Sequence, residues 1–240
     1  MPARSLSFHS YSDEDGMAEL YLVRHGQASF GAENYDELSP SGRTQSLWLG
    51  EYFAQSHLTF DRVVTGTMQR HAQTAYTILT GMRGQPVEVV QDADLNEYDF
   101  HALFSALGES GLAPGLLAES SMKPFYKGLR QVLQLWSEDR LPGRVPETWG
   151  QFQERVERAR LAIQRLGGKR VLVVSSGGPI AVFAQQVLQA PAAAAIALNM
   201  QIRNSSVSQY VYNDSAMSLV TFNTLPHLEH AERRELVTYG

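Results

Sequence analysis

Short apolar runs alternate with amphipathic segments along the first third of the chain. Runs rich in strand-forming residues predict strands in AELYLVRHG (18–26), FDRVVTG (60–66) and PVEVVQD (86–92). Between them, LSPSGRTQSLWLGEYFAQ predicts a helix that begins at Ser39 and Pro40, and TMQRHAQTAYTILTGM predicts a helix with Thr67 as its N-cap.

The second half repeats this alternation after a long interruption. Residues 93–147 are rich in Gly and Pro near their ends and predict an inserted lid, with a helix around 125–136. Apolar residues spaced by three and four from Trp149 to Leu166 give the strongest helical pattern. KRVLVVSS then predicts a buried strand and GPIAVFAQQVLQ a helix behind it, while two alternating segments predict strands that meet at Asn213-Asp214.

Strands that alternate with helices predict an α/β fold, here a three-layer α/β/α sandwich around a mainly parallel, doubly wound sheet. We expect residues 1–17 to be a flexible tail and residues 18–240 a single domain with the lid at about 93–147. In such sheets ligands bind beyond the carboxyl ends of the strands, which indicates where the functional residues should be sought.

Composition excludes several classes of function. The chain has 240 residues and a formal net charge of −5, and its 17 arginines and 3 lysines are scattered, so nucleic acid is a poor candidate partner. The absence of cysteine excludes disulfides, a thiol nucleophile and a thiolate metal site. The polar first residues lack the apolar core of a secretory signal, and APAAAAIAL is too short to cross a membrane, so we expect a cytoplasmic protein.

Charged and polar residues follow the predicted strands where a ligand would bind. They are Arg24 and His25 after the first strand, Arg70 near the second, Glu97 after the third, and Ser176 and Gly177 after the fourth. Guanidinium groups bind phosphate oxygens through paired, charge-assisted hydrogen bonds, and the N–H groups at a helix start add further donors. The sequence therefore predicts a phosphate site at this edge of the sheet, with no metal and no cofactor.

Two of these side chains suit phosphoryl transfer. A neutral, correctly oriented His25 can attack phosphorus and form a phosphohistidine that water later cleaves. Glu97 can protonate the leaving oxygen if it holds a proton near neutral pH, which burial favours and the nearby arginines oppose. The sequence leaves that balance open.

The order of these motifs resembles the histidine phosphatase superfamily, also called the phosphoglycerate mutase-like family. LVRHGQAS is similar to its Arg-His-Gly signature, VVTGTMQRHAQTA to its second arginine motif, LNEYDF to its acidic motif and VLVVSSGGPI to its second histidine motif. LSPSGRTQS, IRNSSVSQY and FNTLPHLE resemble further segments, so the resemblance runs from Glu19 to Glu229. It implies that His25 accepts the phosphoryl group, Arg24 and Arg70 grip it, and Glu97 donates the proton.

The sequence departs from this pattern at Ser176, where the family has its second histidine. We expect Ser176 and the Gly177 N–H still to bind phosphate, although a hydroxyl is a weaker donor than an imidazolium. The alternative is that Ser176 caps the following helix, a role compatible with the first. His101 is the first candidate to replace the missing imidazole, followed by His71 and His227, although His71 is more simply interpreted as a surface residue of the second helix.

The resulting expectation is a phosphatase that hydrolyses a small phosphate monoester through phosphohistidine. The alternative is a phospho-ligand binding protein with little turnover. Phosphoglycerate mutase is disfavoured, because Gln27 stands where the resemblance implies a Glu in the mutases, and the mutases' pattern downstream of it is also absent. Gly31 stands where the resemblance implies an Asn that contacts phosphate in many members. Aromatic residues of the lid hint at an apolar or aromatic leaving group, but core packing explains them equally well; they are Phe100, Phe104, Phe125 and Tyr126. The sequence does not indicate an oligomeric state.

Overall fold

The computed structural model describes residues 16–29, 35–84, 86–108 and 122–239. Most of the predicted tail, Gly31 and the middle of the predicted lid lie outside these residues. The strands are β1 (Ala18–Arg24), β2 (Arg62–Thr65), β3 (Val89–Gln91), β4 (Arg170–Ser175), β5 (Val207–Tyr212) and β6 (Met217–Thr224). The helices are α1 (Pro40–Gln55), α2 (Gln69–Gly81), α3 (Phe100–Gly108), α4 (Met122–Ser137), α5 (Trp149–Arg165), α6 (Gly177–Val187) and α7 (Ala192–Asn199), with short 3₁₀ turns between some of them.

The described strands form one sheet in the order β3-β2-β4-β1-β5-β6. The pairings among β3, β2, β4 and β1 are parallel, whereas β5 pairs antiparallel with both β1 and β6. The predicted turn at Asn213-Asp214 accordingly connects β5 to β6. The sheet is therefore mainly parallel, with an antiparallel pair of strands at one edge.

Alternate residues of the central strands face two separate cores. Leu20 and Leu22 of β1 pack into a core with α5, α6 and α7, whereas Tyr21 and Val23 pack into a core with α1 and α2. This division follows from the two-residue period of a strand, and full burial on both faces is typical of a parallel sheet covered by helices. The predicted α/β/α sandwich is thus confirmed.

The helix starts agree with the sequence patterns with one exception. Ser39 caps α1, because its hydroxyl accepts a hydrogen bond from the Gly42 N–H, and Thr148 forms a capping box with Gln151 at the start of α5. The prediction that Thr67 is the N-cap of α2 is wrong, since the helix begins one residue later with Met68 in that position. The Thr67 hydroxyl instead accepts a hydrogen bond from the Asn96 side chain.

The helices of the predicted lid are partly built into the core. Leu103, Phe104 and Leu107 of α3 and Val132 and Leu133 of α4 are buried among the residues of α5 and the sheet. Phe104 is 2% exposed. Core packing therefore explains this aromatic residue, one of the four that hinted at an apolar or aromatic leaving group. In the described part of the chain no helix is both long and apolar enough to span a bilayer.

Glycines allow α1 and α2 to touch backbone to backbone. A Cβ atom on Gly50 would lie 2.1 Å from the Ile78 carbonyl oxygen, and one on Gly81 would lie 2.3 Å from the Leu47 carbonyl oxygen. Neither backbone atom can rotate away, so a side chain at either position would force the helices apart. α2 carries Arg70, and this close crossing therefore helps to fix the position of a candidate site residue.

We predict that Gly50→Ala lowers the free energy of unfolding by about 1–3 kcal/mol through overpacking. Gly150→Ala is the matched control within α5, because a Cβ atom there meets only the Thr148 hydroxyl at 3.9 Å. It should stabilise the protein by about 0.5–1 kcal/mol through higher helix propensity. Urea unfolding of both variants tests this, and equal stability of the two would contradict the close helix crossing.

Candidate active site

The candidate residues meet at the carboxyl ends of β1, β2 and β4. Arg24 is in register with Ser175 of the neighbouring strand, and the His25 N–H donates to the Ser175 carbonyl oxygen at 2.9 Å. A pocket opens at this edge of the sheet. The described residues that line it are Arg24, His25, Tyr35, Arg70, Glu97, Tyr98, Phe100, Phe125, Tyr126, Leu129, Asn199, Met200, Ile202 and Tyr239. Four of the predicted site residues, two arginines, a histidine and a glutamate, therefore share one pocket.

His25 is held with one ring nitrogen occupied by the backbone. Its Nδ1 lies 2.7 Å from the carbonyl oxygen of Gly26, an acceptor, which fixes the proton on Nδ1 and leaves the Nε2 lone pair available. Burial lowers the pKa of His25 well below its usual value, and the charges of Arg70 and Arg24 add to this effect. The side chain is therefore a neutral imidazole with its nucleophilic nitrogen at Nε2.

Arg70 connects this nucleophile to an acidic partner. Its Nε donates to His25 Nε2 at 3.2 Å, and its Nη1 forms an ion pair with Asp36 at 2.7 Å. The residue is 4% exposed, although it sits at the start of a helix. The carboxylate of Asp36 thus orients the guanidinium that contacts His25. Such an ion pair holds the remaining N–H donors of Arg70 in a fixed direction.

Arg24 is also buried, and not all of its donors have partners. Its Nη1 donates to the Ile202 carbonyl oxygen at 2.5 Å, whereas its Nε has no hydrogen-bond partner within the described part of the chain. A Cβ atom on Gly177 would lie 3.8 Å from this Nε, so the guanidinium lies against the first turn of α6. An unpaired buried donor of a cation beside a helix N-terminus is suited to an anionic ligand.

Glu97 is anchored above the same turn. Its Oε2 accepts from the Gly178 N–H at 3.2 Å, and its Oε1 accepts from the Tyr98 N–H at 3.3 Å. Any residue larger than glycine at 178 would collide with it, because a Cβ atom there would lie 2.2 Å from Glu97 Oε1. Burial raises the pKa of Glu97 above its usual value, while the Gly178 N–H and both arginines oppose this shift. The upward direction is the one a proton donor requires.

Ser176 has a different partner from the one a helix cap would have. It occupies the N-cap position of α6, but its side chain makes no capping hydrogen bond. Its Oγ instead lies 2.7 Å from Nε2 of His71. His71 is fully buried, and its ring centroid is 5.6 Å from that of His25. The interpretation of His71 as a surface residue is therefore wrong.

The sequence model of one protein family, the histidine phosphatase superfamily (branch 1), matches residues 20–225 of this chain. The chain belongs to the histidine phosphatase superfamily. The resemblance inferred from the motifs is thus confirmed over most of their span.

Individual members of the superfamily are only moderately similar. The 2,3-bisphosphoglycerate-dependent phosphoglycerate mutase of Bartonella bacilliformis is 32% identical over 87 residues, 34% of this chain and 42% of that protein, so the match spans less than half of that relative. The probable phosphoglycerate mutase GpmB of Salmonella arizonae is 27% identical over 208 residues, 83% of this chain and 87% of that protein. The phosphoserine phosphatase of Entamoeba histolytica, solved with 3-phosphoglyceric acid, has the same fold, with a TM-score of 0.61, 19% identity and coverage of 88% and 99% of the two chains.

Two other histidines considered as replacements for the superfamily's second histidine lie elsewhere. His101 is exposed on α3, where its ring centroid is 4.0 Å from that of Phe100, and it is not among the residues that line the pocket. His227 is buried near the C-terminal segment, and its Nε2 lies 2.9 Å from the Ser205 hydroxyl. Burial lowers the pKa of His227 to about 3, which keeps it neutral in that structural position.

Several pocket residues were not anticipated from the sequence. Tyr35, Asn199 and Tyr239 line the pocket from three distant segments, and the Asn199 side chain donates to the Tyr98 hydroxyl at 3.0 Å. None belongs to a motif at a strand end, so the alternation of elements gives no signal for them. Within the described ranges, no group of three or more acidic or histidine side chains is arranged to hold a metal ion.

We predict that the pocket binds inorganic phosphate and that Arg70→Gln weakens this binding about 10- to 100-fold, since hydrogen bonds to charged groups contribute about 1.5–3 kcal/mol. Arg140→Gln is the matched control, because Arg140 is exposed, pairs with Glu138 and is not among the residues that line the pocket. Isothermal titration calorimetry measures both affinities. Equal phosphate affinity in wild type and Arg70→Gln would exclude Arg70 as a ligand-binding group.

Proposed function

We propose that the protein is a phosphatase that hydrolyses small phosphate monoesters through a phosphohistidine on His25. The observation that carries this proposal is the placement of the His25 imidazole, with Nδ1 bonded to the backbone, Nε2 in contact with the buried Arg70, and Arg24 lining the same pocket. A phosphate dianion is the ligand that the pocket's positive charge favours. Membership of the superfamily supports the same class of chemistry.

The first step transfers the phosphoryl group to the enzyme. His25 Nε2 attacks phosphorus, the bond from phosphorus to the ester oxygen breaks, and the proton held by Glu97 passes to the departing alkoxide. Arg70 must exchange its hydrogen bond with His25 Nε2 for one to the phosphoryl oxygens, which frees the lone pair at that moment. Arg24, with its unpaired Nε, binds the same oxygens.

The second step releases phosphate. Glu97, now ionised, accepts a proton from water, and the water oxygen attacks phosphorus as the bond between phosphorus and Nε2 breaks. Inorganic phosphate leaves, and both His25 and Glu97 return to their starting protonation states. The residues present account for the whole cycle, with His25 as nucleophile and Glu97 first as acid and then as base.

The pocket walls favour an apolar or aromatic leaving group. Phe100, Phe125 and Tyr126 line the pocket together with Leu129 and Met200. Among the described lining residues, the only cations are the two arginines assigned to the phosphate, because His25 is neutral. The carboxylate of 3-phosphoglycerate would find no third cation among these described residues. Within our proposal the alcohol part of the substrate is therefore uncharged.

Turnover of an aryl phosphate tests the function. We expect wild type to hydrolyse phenyl phosphate more efficiently than phosphoserine or 3-phosphoglycerate, and His25→Ala to lose turnover. Quenching wild type with alkaline detergent during turnover of ³²P-labelled substrate should trap a phosphoryl group on His25 that is stable to base and released by acid. Phosphate affinity without turnover or a trapped intermediate would instead favour the alternative, a phospho-ligand binding protein.

A second prediction concerns Glu97 as the acid. Because Glu97 must hold a proton in the first step and burial raises its pKa above the usual value, kcat/KM should fall as pH rises through that raised pKa. Activity should fall on the acid side only well below pH 6.5, where His25 gains a proton. Glu97→Gln should lower kcat/KM for phenyl phosphate about 10²- to 10⁴-fold but hardly affect kcat/KM for esters of acidic nitrophenols, whose leaving oxygens need no proton. The constant kcat/KM is compared because it reports the transfer to His25 and not the later release of phosphate.

Glu157→Gln is the control for this series, because Glu157 is a surface carboxylate paired with Arg160. Values of kcat/KM are compared across esters whose leaving groups span several pKa units. The assignment of Glu97 as the acid is wrong if Glu97→Gln lowers kcat/KM of every ester by the same factor.

A further inference from the structure

The contact between His71 and Ser176 has no place in the mechanism derived so far. Both side chains are fully buried, and their Nε2 and Oγ atoms lie 2.7 Å apart although the residues are 105 positions apart in the chain. His71 directly follows Arg70, and its ring lies beside that of His25 with a centroid distance of 5.6 Å and an interplanar angle of 35°. An imidazole is therefore present next to the nucleophile, although residue 176 is a serine.

The surroundings of His71 determine the direction of this hydrogen bond. Its Nδ1 is buried and has no partner within the described residues, and it lies against Gly66, where a Cβ atom would be 2.1 Å away. A buried N–H without an acceptor is rarer and less tolerable than an unpaired acceptor. The proton of the neutral ring is therefore on Nε2, from which it is donated to Ser176 Oγ.

This direction leaves the serine hydroxyl with its own hydrogen to donate. A hydroxyl has one donor and two acceptor sites, and the His71 N–H occupies one acceptor site. Ser176 lies between the end of β4 and Gly177, where a Cβ atom would be 3.7 Å from Cζ of Arg24. The serine is thus the chain neighbour of the glycine against which the guanidinium assigned to the phosphoryl group packs. Chains of hydrogen bonds polarise one another, so the bond from His71 strengthens Ser176 as a donor.

We propose that His71 and Ser176 act together as a donor relay: Ser176 donates its hydroxyl proton to a phosphoryl oxygen, and His71 positions that hydroxyl. The relay supplies, from helix α2, the imidazole that the strand end lacks. This inference rests on the proposed function, because it assigns the donor that stabilises the phosphoryl group during transfer from substrate to His25. Ser176 touches the substrate, whereas His71 is a positioning residue that acts through it.

The relay differs chemically from a direct imidazolium. Burial, reinforced by the charge of Arg70, lowers the pKa of His71 well below its usual value, so the ring is neutral. The phosphoryl group consequently receives an oriented hydrogen bond without an additional positive charge. The positive charge of the site is then concentrated on Arg24 and Arg70.

A double-mutant cycle in kcat tests the relay. We expect Ser176→Ala and His71→Ala each to lower kcat for phenyl phosphate about 100-fold, as loss of one preorganised donor does. The double variant should be no slower than either single variant, because each residue acts through the other. His71→Gln should keep most of the rate, since its amide nitrogen can replace Nε2 as the donor.

Two further variants separate a catalytic from a merely structural role. His71→Ala combined with Ser176→His places an imidazole at the strand end and should regain at least tenfold over His71→Ala. His230→Ala, at an exposed histidine near the C-terminus, is the matched control and should behave as wild type. Thermal unfolding of each variant identifies any loss of rate that comes from misfolding.

Measuring the affinity for inorganic phosphate separates the test of the relay from the test of the proposed phosphatase activity. If wild type shows no turnover, the phosphatase proposal fails, and the relay is judged by phosphate affinity, which both single variants should weaken equally and without additivity. If wild type hydrolyses the substrate but the two losses in kcat multiply in the double variant, the relay is wrong and the phosphatase proposal is retained. The same conclusion follows if His71→Ala leaves kcat unchanged while His101→Ala lowers it.

Discussion

The parallel pairing of β1 with β4 sets the position of every group at the candidate site. It places Arg24 level with Ser175, so the residues that follow the two strands, His25 and Ser176, emerge side by side. β2 pairs with the other edge of β4 and leads into α2, which brings Arg70 and His71 to the same level. A slip of one residue between β1 and β4 would exchange the two faces of the strand and remove the site together with the core.

Bringing these groups together buries positive charge, which has an electrostatic cost and explains why the pocket favours an anionic ligand. Two guanidinium groups are almost fully buried there, and the acidic groups near them are Asp36, which pairs with Arg70, and Glu97, whose pKa is raised by burial. Burying charge without a partner is unfavourable. A bound phosphate dianion would relieve that cost. The pKa of His25 is lowered first by burial, and the charges of the same two arginines add to this effect.

Much of this arrangement could be predicted from the sequence, because it depends on local patterns. Strand and helix periodicity predicts the layers, and the rule that ligands bind at carboxyl strand ends predicts that Arg24, His25, Arg70 and Glu97 converge. Those four residues do line one pocket. The N-cap of α2 was misassigned because Thr67 bonds to Asn96, a partner 29 positions away that no local pattern reveals.

The interpretation of His71 as a surface residue is wrong for the same reason, because a contact between distant residues decides its position. The consequence is larger, because His71 belongs to the candidate site. Its position on α2 permits a surface or a buried orientation, and only the packing of α2 over the end of β4 selects the buried one. Glycine at position 66 makes that packing possible, since a side chain there would occupy the space of the imidazole. A motif comparison at residue 176 alone registers a lost histidine, whereas in three dimensions the ring lies within hydrogen-bonding distance of the serine. A residue type missing from a motif therefore does not establish that its chemistry is missing from the site, because a side chain from a neighbouring element can occupy the same space.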